Sequence, residues 1–115
     1  MPYISINTSL KLSDSQKEKI KSEIGRLITI IPTKTEAGTF VDLSDGRTMY
    51  KAGEKIDGAF IELRLFRKSE FEDKKKFTEE LFTMLSGELG LKNENMTLNI
   101  LEFDNWGAGG SLRPA

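Results

Sequence analysis

The sequence contains no cysteine and no histidine. The first absence excludes a disulfide framework and thiol chemistry. The second removes the commonest metal ligand and the side chain that ordinarily titrates near neutrality, so acid–base chemistry at pH 7 has to use a group with a displaced pKa. Neither a metal site nor a cofactor is expected. Charge of one sign is also lacking: 17 Lys and Arg stand against 18 Asp and Glu, and a net −1 gives no general attraction to nucleic acid or to an anionic membrane. No apolar run approaches the ~20 residues of a membrane span, and no basic region followed by an apolar stretch opens the chain. The expectation is a cytoplasmic protein with no nucleic-acid or membrane partner. At 115 residues, 37% hydrophobic and 30% charged, it is read as one domain over 1–115 with a modest core.

The most informative feature present is Pro2. Removal of Met1 turns Pro2 into an N-terminal secondary amine. Free α-amino groups titrate at about 7.7–8.0, and burial or a neighbouring cation lowers that value, leaving a neutral amine that can abstract a proton. Many chains begin Met-Pro for reasons of processing alone. A retained Met1 acylates the proline nitrogen, which then has no basic lone pair.

Hydrophobic spacing divides the chain into two similar halves, about 2–45 and 58–103, with a tail over 104–115. Residues 3–8 alternate, with Ile4 and Ile6 on one face of a strand and Tyr3, Ser5 and Asn7 on the other. Ser13-Asp14-Ser15-Gln16 fits a capping box, and Ile20, Ile24, Leu27, Ile28 and Ile31 follow at helical spacing until Pro32. Thr39–Leu43 forms a second extended run, closed by the turn signal Ser44-Asp45-Gly46. The order then repeats. Ala59, Ile61, Leu63 and Leu65 alternate with Phe60, Glu62, Arg64 and Phe66, and Ser69-Glu70-Phe71-Glu72 reads as a second capping box. Phe77, Leu81, Met84 and Leu85 mark a helix face that Gly90 can end, and Met96, Leu98 and Ile100 alternate in a fourth strand. Two βαβ units predict an α+β fold, a four-stranded sheet with both helices on one face. Tyr3, Phe60, Phe66, Leu101 and Phe103 are left over on the other face, which points to oligomerisation.

With these elements in order, the chain resembles the tautomerase superfamily and, within it, the longer fused-repeat members related to macrophage migration inhibitory factor. Pro2–Thr8 resembles that family's first strand. Met49-Tyr50-Lys51-Ala52-Gly53-Glu54 is similar to its Met-x-x-Gly-Gly turn, with alanine for the first glycine, and Asp104–Gly110 resembles the Asn-Trp-Gly segment after the last strand of bacterial members. The likeness runs from Pro2 to about Gly110. It implies homotrimers with sheets lining a barrel, helices outside and sites at subunit boundaries. It also implies cofactor-free keto–enol tautomerisation of 2-oxo acids such as phenylpyruvate, with Pro2 as the base. Lys34 matches a lysine that binds the substrate carboxylate. Phe66 matches a position whose backbone borders the pocket, and Asn99 an asparagine supplied by a neighbour. Thr97 and Gly38 stand where relatives carry aromatics, and a Cys-x-x-Cys pair is missing, so phenyl preference and thiol activity do not carry over.

Several residues keep two readings. Lys34 is either a substrate contact or one more solvated lysine. Arg64, on the face opposite the helices with Glu62 two residues away, is half of an ion-pair ladder or a substrate carboxylate clamp. Trp106 anchors the C-terminal segment on a neighbour or walls the pocket. Lys74-Lys75-Lys76 reads as a solvated helix face, and Gly107 and Gly109-Gly110 as turn residues. The same fold also allows decarboxylation or hydrolytic dehalogenation, which would need a protonated Pro2, and a trimeric binding or signalling role without turnover.

Overall fold

A computed structural model describes all of residues 1–115. Its elements are β1 (Pro2–Thr8), α1 (Asp14–Leu27), β2 (Phe40–Ser44), β3 (Tyr50–Lys51), β4 (Glu54–Lys55), β5 (Ala59–Phe66), α2 (Phe71–Leu89), β6 (Met96–Phe103), β7 (Trp106–Ala108) and β8 (Ser111–Arg113). The fold is α+β. A mixed sheet runs in the order β2-β1-β5-β6, and β3-β4 and β7-β8 are separate hairpins. Each half pairs its own two strands in parallel, and β1 and β5 join the halves antiparallel down the centre.

Parity explains the layering. Ile4 and Ile6 of β1 and Ile61, Leu63 and Leu65 of β5 are fully buried, and they share one core cluster with Ile20, Ile24 and Leu27 of α1 and Phe77, Leu81 and Leu85 of α2. Both helices therefore cover the same sheet face. The intervening residues form rows across the other face: Phe40, Tyr3, Arg64 and Leu101 in one, Asp42, Ser5, Glu62 and Asn99 in the next. Phe60, Leu101 and Phe103 stay exposed there, as the alternation predicts, and Phe40 joins them; Tyr3 is half-buried, and Phe66, expected among the uncovered residues, is buried against Trp106 of its own chain. No helix is long and apolar enough to cross a membrane.

Two of the four helix ends agree with the sequence and two differ. Ser13 caps α1: its hydroxyl accepts from the Gln16 N–H at 3.1 Å, and the Gln16 side chain accepts from the Ser13 N–H at 2.9 Å. The apolar spacing predicts one helix to Ile31, but α1 stops at Leu27 and its last turn tightens to a 3-10 turn over Ile28–Ile30. The second predicted capping box does not form. Glu70, not Ser69, is the cap residue of α2, and its side chain makes no capping bond. The Ser69 N–H donates at 2.6 Å to Glu102 of β6, which also pairs with Lys74 at 3.0 Å, so a carboxylate from the neighbouring strand anchors the start of α2. Gly90 ends α2 in the left-handed region (φ 68°). At the C-terminus Gly109 and Gly110 (φ 61° and 84°) make the tight hairpin turn, whereas Gly107 lies within β7 opposite Leu112 and is not a turn residue.

Phe77 is fully buried between α2 and the sheet, while Phe71 at the helix start is 68% exposed. Phe77→Ala is expected to cost about 3–5 kcal/mol and Phe71→Ala within about 0.5 kcal/mol, measured by urea unfolding at one protein concentration. Similar losses for the two would contradict this placement of the core.

Candidate functional site

The central position of β1 fixes where the chain begins. Pro2 pairs with Leu65, near the end of β5, and is itself buried. The start of the polypeptide thus lies at the mouth of a cavity of about 650 Å³, lined by Met1, the Pro32–Lys34 loop, Phe66–Glu70, Asp73, Arg113 and Pro114. Small-molecule sites commonly run about 300–1,000 Å³.

The loop that presents Lys34 is a tight turn. The Lys34 N–H donates to the Ile31 carbonyl at 3.1 Å, with Pro32 at the first central position and Thr33 at the second, with φ 72°. A β-branched residue in that region is strained by about 1–3 kcal/mol. Arg67, immediately after β5, is also left-handed (φ 71°), and its N–H donates to the Phe103 carbonyl at 2.8 Å. Of the three non-glycine residues with positive φ, these two line the cavity; the third, Ala52, makes the β3-β4 turn, where the sequence places alanine for a glycine.

Lys34 Nζ donates to the Phe66 carbonyl at 2.9 Å and reaches the Met1 amine. Burial pushes the Met1 amine below its ordinary pKa; the charge of Lys34 and the hydrogen bond that it donates add to the effect. Lys34 is itself held below the ordinary lysine value, chiefly by burial and also by the Arg67 charge, while its bond to the amine and the Glu102 charge work the other way. Glu102 is a carboxylate kept below its usual range: burial opposes this, but the Ser69 N–H and the Lys74 ammonium outweigh it.

The structure brings Lys34 and Phe66 together in the cavity lining, where Met1 meets Lys34; Pro2, buried opposite Leu65, is joined to Met1 but is not itself part of the lining. Trp106 packs in its own chain against Phe66 (centroids 6.3 Å) and edge-on to Phe103 (6.2 Å), behind the cavity wall and not in its lining. Arg64 lies on the uncovered face, 3.2 Å from Glu62 and 5.6 Å from the Tyr3 ring, and Asn99 sits on that face opposite Glu62; neither borders the cavity within one chain. Arg67, Lys68 and Arg113 line it and were not singled out by the sequence. The end of a strand is a signal for the first two, since such loops carry function disproportionately. Nothing local marks Arg113. No group of His, Cys, Asp or Glu side chains could hold a metal ion.

No family model matches the chain, and no curated protein does. Solved structures match over nearly its whole length. MIF2 from Leishmania major superposes with a TM-score of 0.90 at 17% identity, covering 98% of this chain and 97% of that one. Pt0534 inactivated by 2-oxo-3-pentynoate gives 0.84 at 17% identity, covering 94% and 93%. A fused 4-OT, an asymmetric trimer, gives 0.83 at 13% identity, covering 95% and 94%. The chain has the fold of the macrophage migration inhibitory factor and tautomerase structures, as its sequence implies; at these identities the likeness is one of fold.

With Met1 present, its amine is expected to titrate below the ordinary range of about 7.7–8.0. Lys34→Ala should move that titration upward, because a positive neighbour and a donated hydrogen bond are lost while burial remains. An NMR titration of protein labelled at the Met1 nitrogen reads this directly, and an unchanged midpoint in the variant would show that Lys34 does not act on the amine.

Proposed function

We propose that this chain is a cofactor-independent keto–enol tautomerase of 2-oxo acids that works as a homotrimer, with Pro2 as its base once Met1 is removed. The observation that carries the reading is the placement of the chain's first residues beside the Lys34 ammonium at the mouth of a cavity, where an amine is driven toward its neutral form. Two further features support it. Pt0534, of the same fold, is inactivated by a 2-oxo acid. The apolar sheet face without helices needs cover, and the fused 4-OT of the same fold is a trimer.

The chemistry follows from the groups present. A neutral Pro2 amine takes the proton from the carbon beside the keto group, and the electron pair of the broken C–H bond moves to make the enolate. Negative charge grows on the keto oxygen, and a cation already in place lowers the barrier without reorganising. Lys34 is that cation and also holds the substrate carboxylate. The Pro2 ammonium then returns the proton to oxygen. Asn99, supplied by a neighbouring subunit, faces the substrate in this reading, and Phe66 borders it through its backbone. The decarboxylase and dehalogenase alternatives are less well supported: they need a protonated Pro2 and a carboxylate to orient water, whereas burial and the Lys34 charge disfavour a second cation at the chain's start, as they do for the Met1 amine.

Met1-free protein is expected to exchange the C3 proton of phenylpyruvate for deuterium in an NMR assay. Pro2→Ala should slow that exchange at least tenfold, and a retained or formylated N-terminus should abolish it. Equal rates for capped and uncapped protein would exclude Pro2 as the base.

The assembly is tested separately. Light scattering at micromolar concentration should give a mass near three chains, and a stable monomer would rule out shared sites.

A further inference from the structure

One charged side chain occupies a helix-facing position in the long sheet. The residues of β6 that face the helices are Met96, Leu98, Ile100 and Glu102, and on β1, β2 and β5 the same face carries no Asp, Glu, Lys or Arg. Glu102 closes a row of Pro2, Leu65 and Glu102 across the sheet, at the end where the polypeptide begins. Its side chain is 19% exposed, and a carboxylate on that face is costly unless donors and cations satisfy it. The Ser69 N–H does so at 2.6 Å and Lys74 Nζ at 3.0 Å. Neither Glu102 nor Lys74 lines the cavity at Met1, whereas Ser69 does.

The bond to Ser69 acts on what precedes it in the chain. Phe66 is the last residue of β5, its carbonyl accepts from Lys34 Nζ at 2.9 Å, and the segment from there to Ser69 is one wall of the cavity. That wall is pinned to β6 at two points. The Arg67 N–H donates to the Phe103 carbonyl at 2.8 Å and the Ser69 N–H to Glu102, so only Lys68 separates bonds to two consecutive residues of one strand. Between the pins Arg67 is left-handed (φ 71°), a conformation that a non-glycine residue keeps only where its surroundings over-determine it. Anchoring α2 does not require the second pin: Lys74, inside the helix, already ties α2 to Glu102, while Ser69 lies ahead of the cap residue Glu70. Burial lowers the pKa of Lys34, and Glu102 supplies the one carboxylate charge that acts against it.

We infer that Glu102 is a positioning residue of the candidate site: by holding the Ser69 N–H it fixes the turn that aims the Phe66 carbonyl at Lys34, and so places the cation beside the chain's first residue. It touches no substrate. Its effect on turnover rests on the 2-oxo acid reading; its effect on Lys34 does not.

Three variants separate the two bonds of Glu102. Glu102→Leu removes both and continues the apolar row, so its circular dichroism spectrum should match that of the unsubstituted chain. Lys74→Met removes one and leaves the Ser69 bond; Glu102→Gln removes the charge and keeps an oxygen that accepts from Ser69. In the full chain with Met1 present and its nitrogen labelled, Glu102→Leu should move the amine's NMR titration upward, as Lys34→Ala does, because the cation is no longer held beside it. Loss of a carboxylate charge alone would lower a nearby amine, so the direction distinguishes displacement from charge. The other two variants should give no upward move. In protein freed of Met1, Glu102→Leu should raise KM for phenylpyruvate about fivefold or more and lower kcat by less, with the other two within about twofold of the unsubstituted chain on both constants. An amine that stays put or moves down in Glu102→Leu, or a Lys74→Met variant that matches it in both experiments, would overturn the role. An upward move without turnover in any of the proteins would leave the positioning role standing and remove the tautomerase reading; turnover with an unmoved amine would do the reverse.

Discussion

Everything in this site depends on the pairing of β1 along both of its edges. Chain ends ordinarily fray, because few contacts repay the entropy of ordering them. Here the first strand is bonded to β2 on one side and to β5 on the other, and its side chains alternate between a helix-covered core and the open face. A shift of one residue would turn Ile4 and Ile6 out of the core, so the register is fixed by burial. The position of residue 2 opposite Leu65 follows from that register and not from any contact that the first residues make themselves.

The second determinant is electrostatic. Lys34 does not pair with a carboxylate; it is turned toward a backbone carbonyl and an amine. A lysine neutralised by an acid would offer a substrate little. Held by Phe66 through a dipole, it keeps its charge available and at the same time raises the cost of a second positive charge at the chain's start. The strained conformations of Thr33 and Arg67 sit on the two segments that bring these groups together, where surrounding structure over-determines the backbone.

Much of this was legible in the sequence, since period and parity are local properties. The four long strands, both helices, the α1 capping box and the uncovered face follow from residue spacing, and of the residues that the resemblance singles out, Lys34 and Phe66 line one cavity. What escaped depends on long-range partners. Ser69 looked like a cap because Glu72 follows three residues later, but its N–H belongs to Glu102, thirty-three residues away. Ile31 continued the helical spacing while the backbone had already tightened at Ile28. Arg67 and Arg113 are unremarkable in sequence and line one cavity only because a hairpin turns on Gly109 and Gly110. Arg64 and Asn99 share a face that the sequence assigns correctly, yet a single chain leaves both away from the cavity.

The duplication within the chain has a consequence for how many reactive centres it can hold. The second half repeats the arrangement of the first: β5 begins at Ala59, and the loop after α2 comes back against that beginning, so close that a Cβ on Gly58 would lie 2.5 Å from the Asn95 carbonyl. Glu94 and Asn95 border a cavity of about 360 Å³ there, much as the loop after α1 borders the one at Met1. Yet Gly58 is joined to Asp57 by a peptide bond, and its nitrogen is an amide with no proton affinity to use. Loops placed alike in the two halves thus border two cavities of different size and lining, and they differ in what the backbone offers beside them: an α-amine at Met1 and an amide at Gly58.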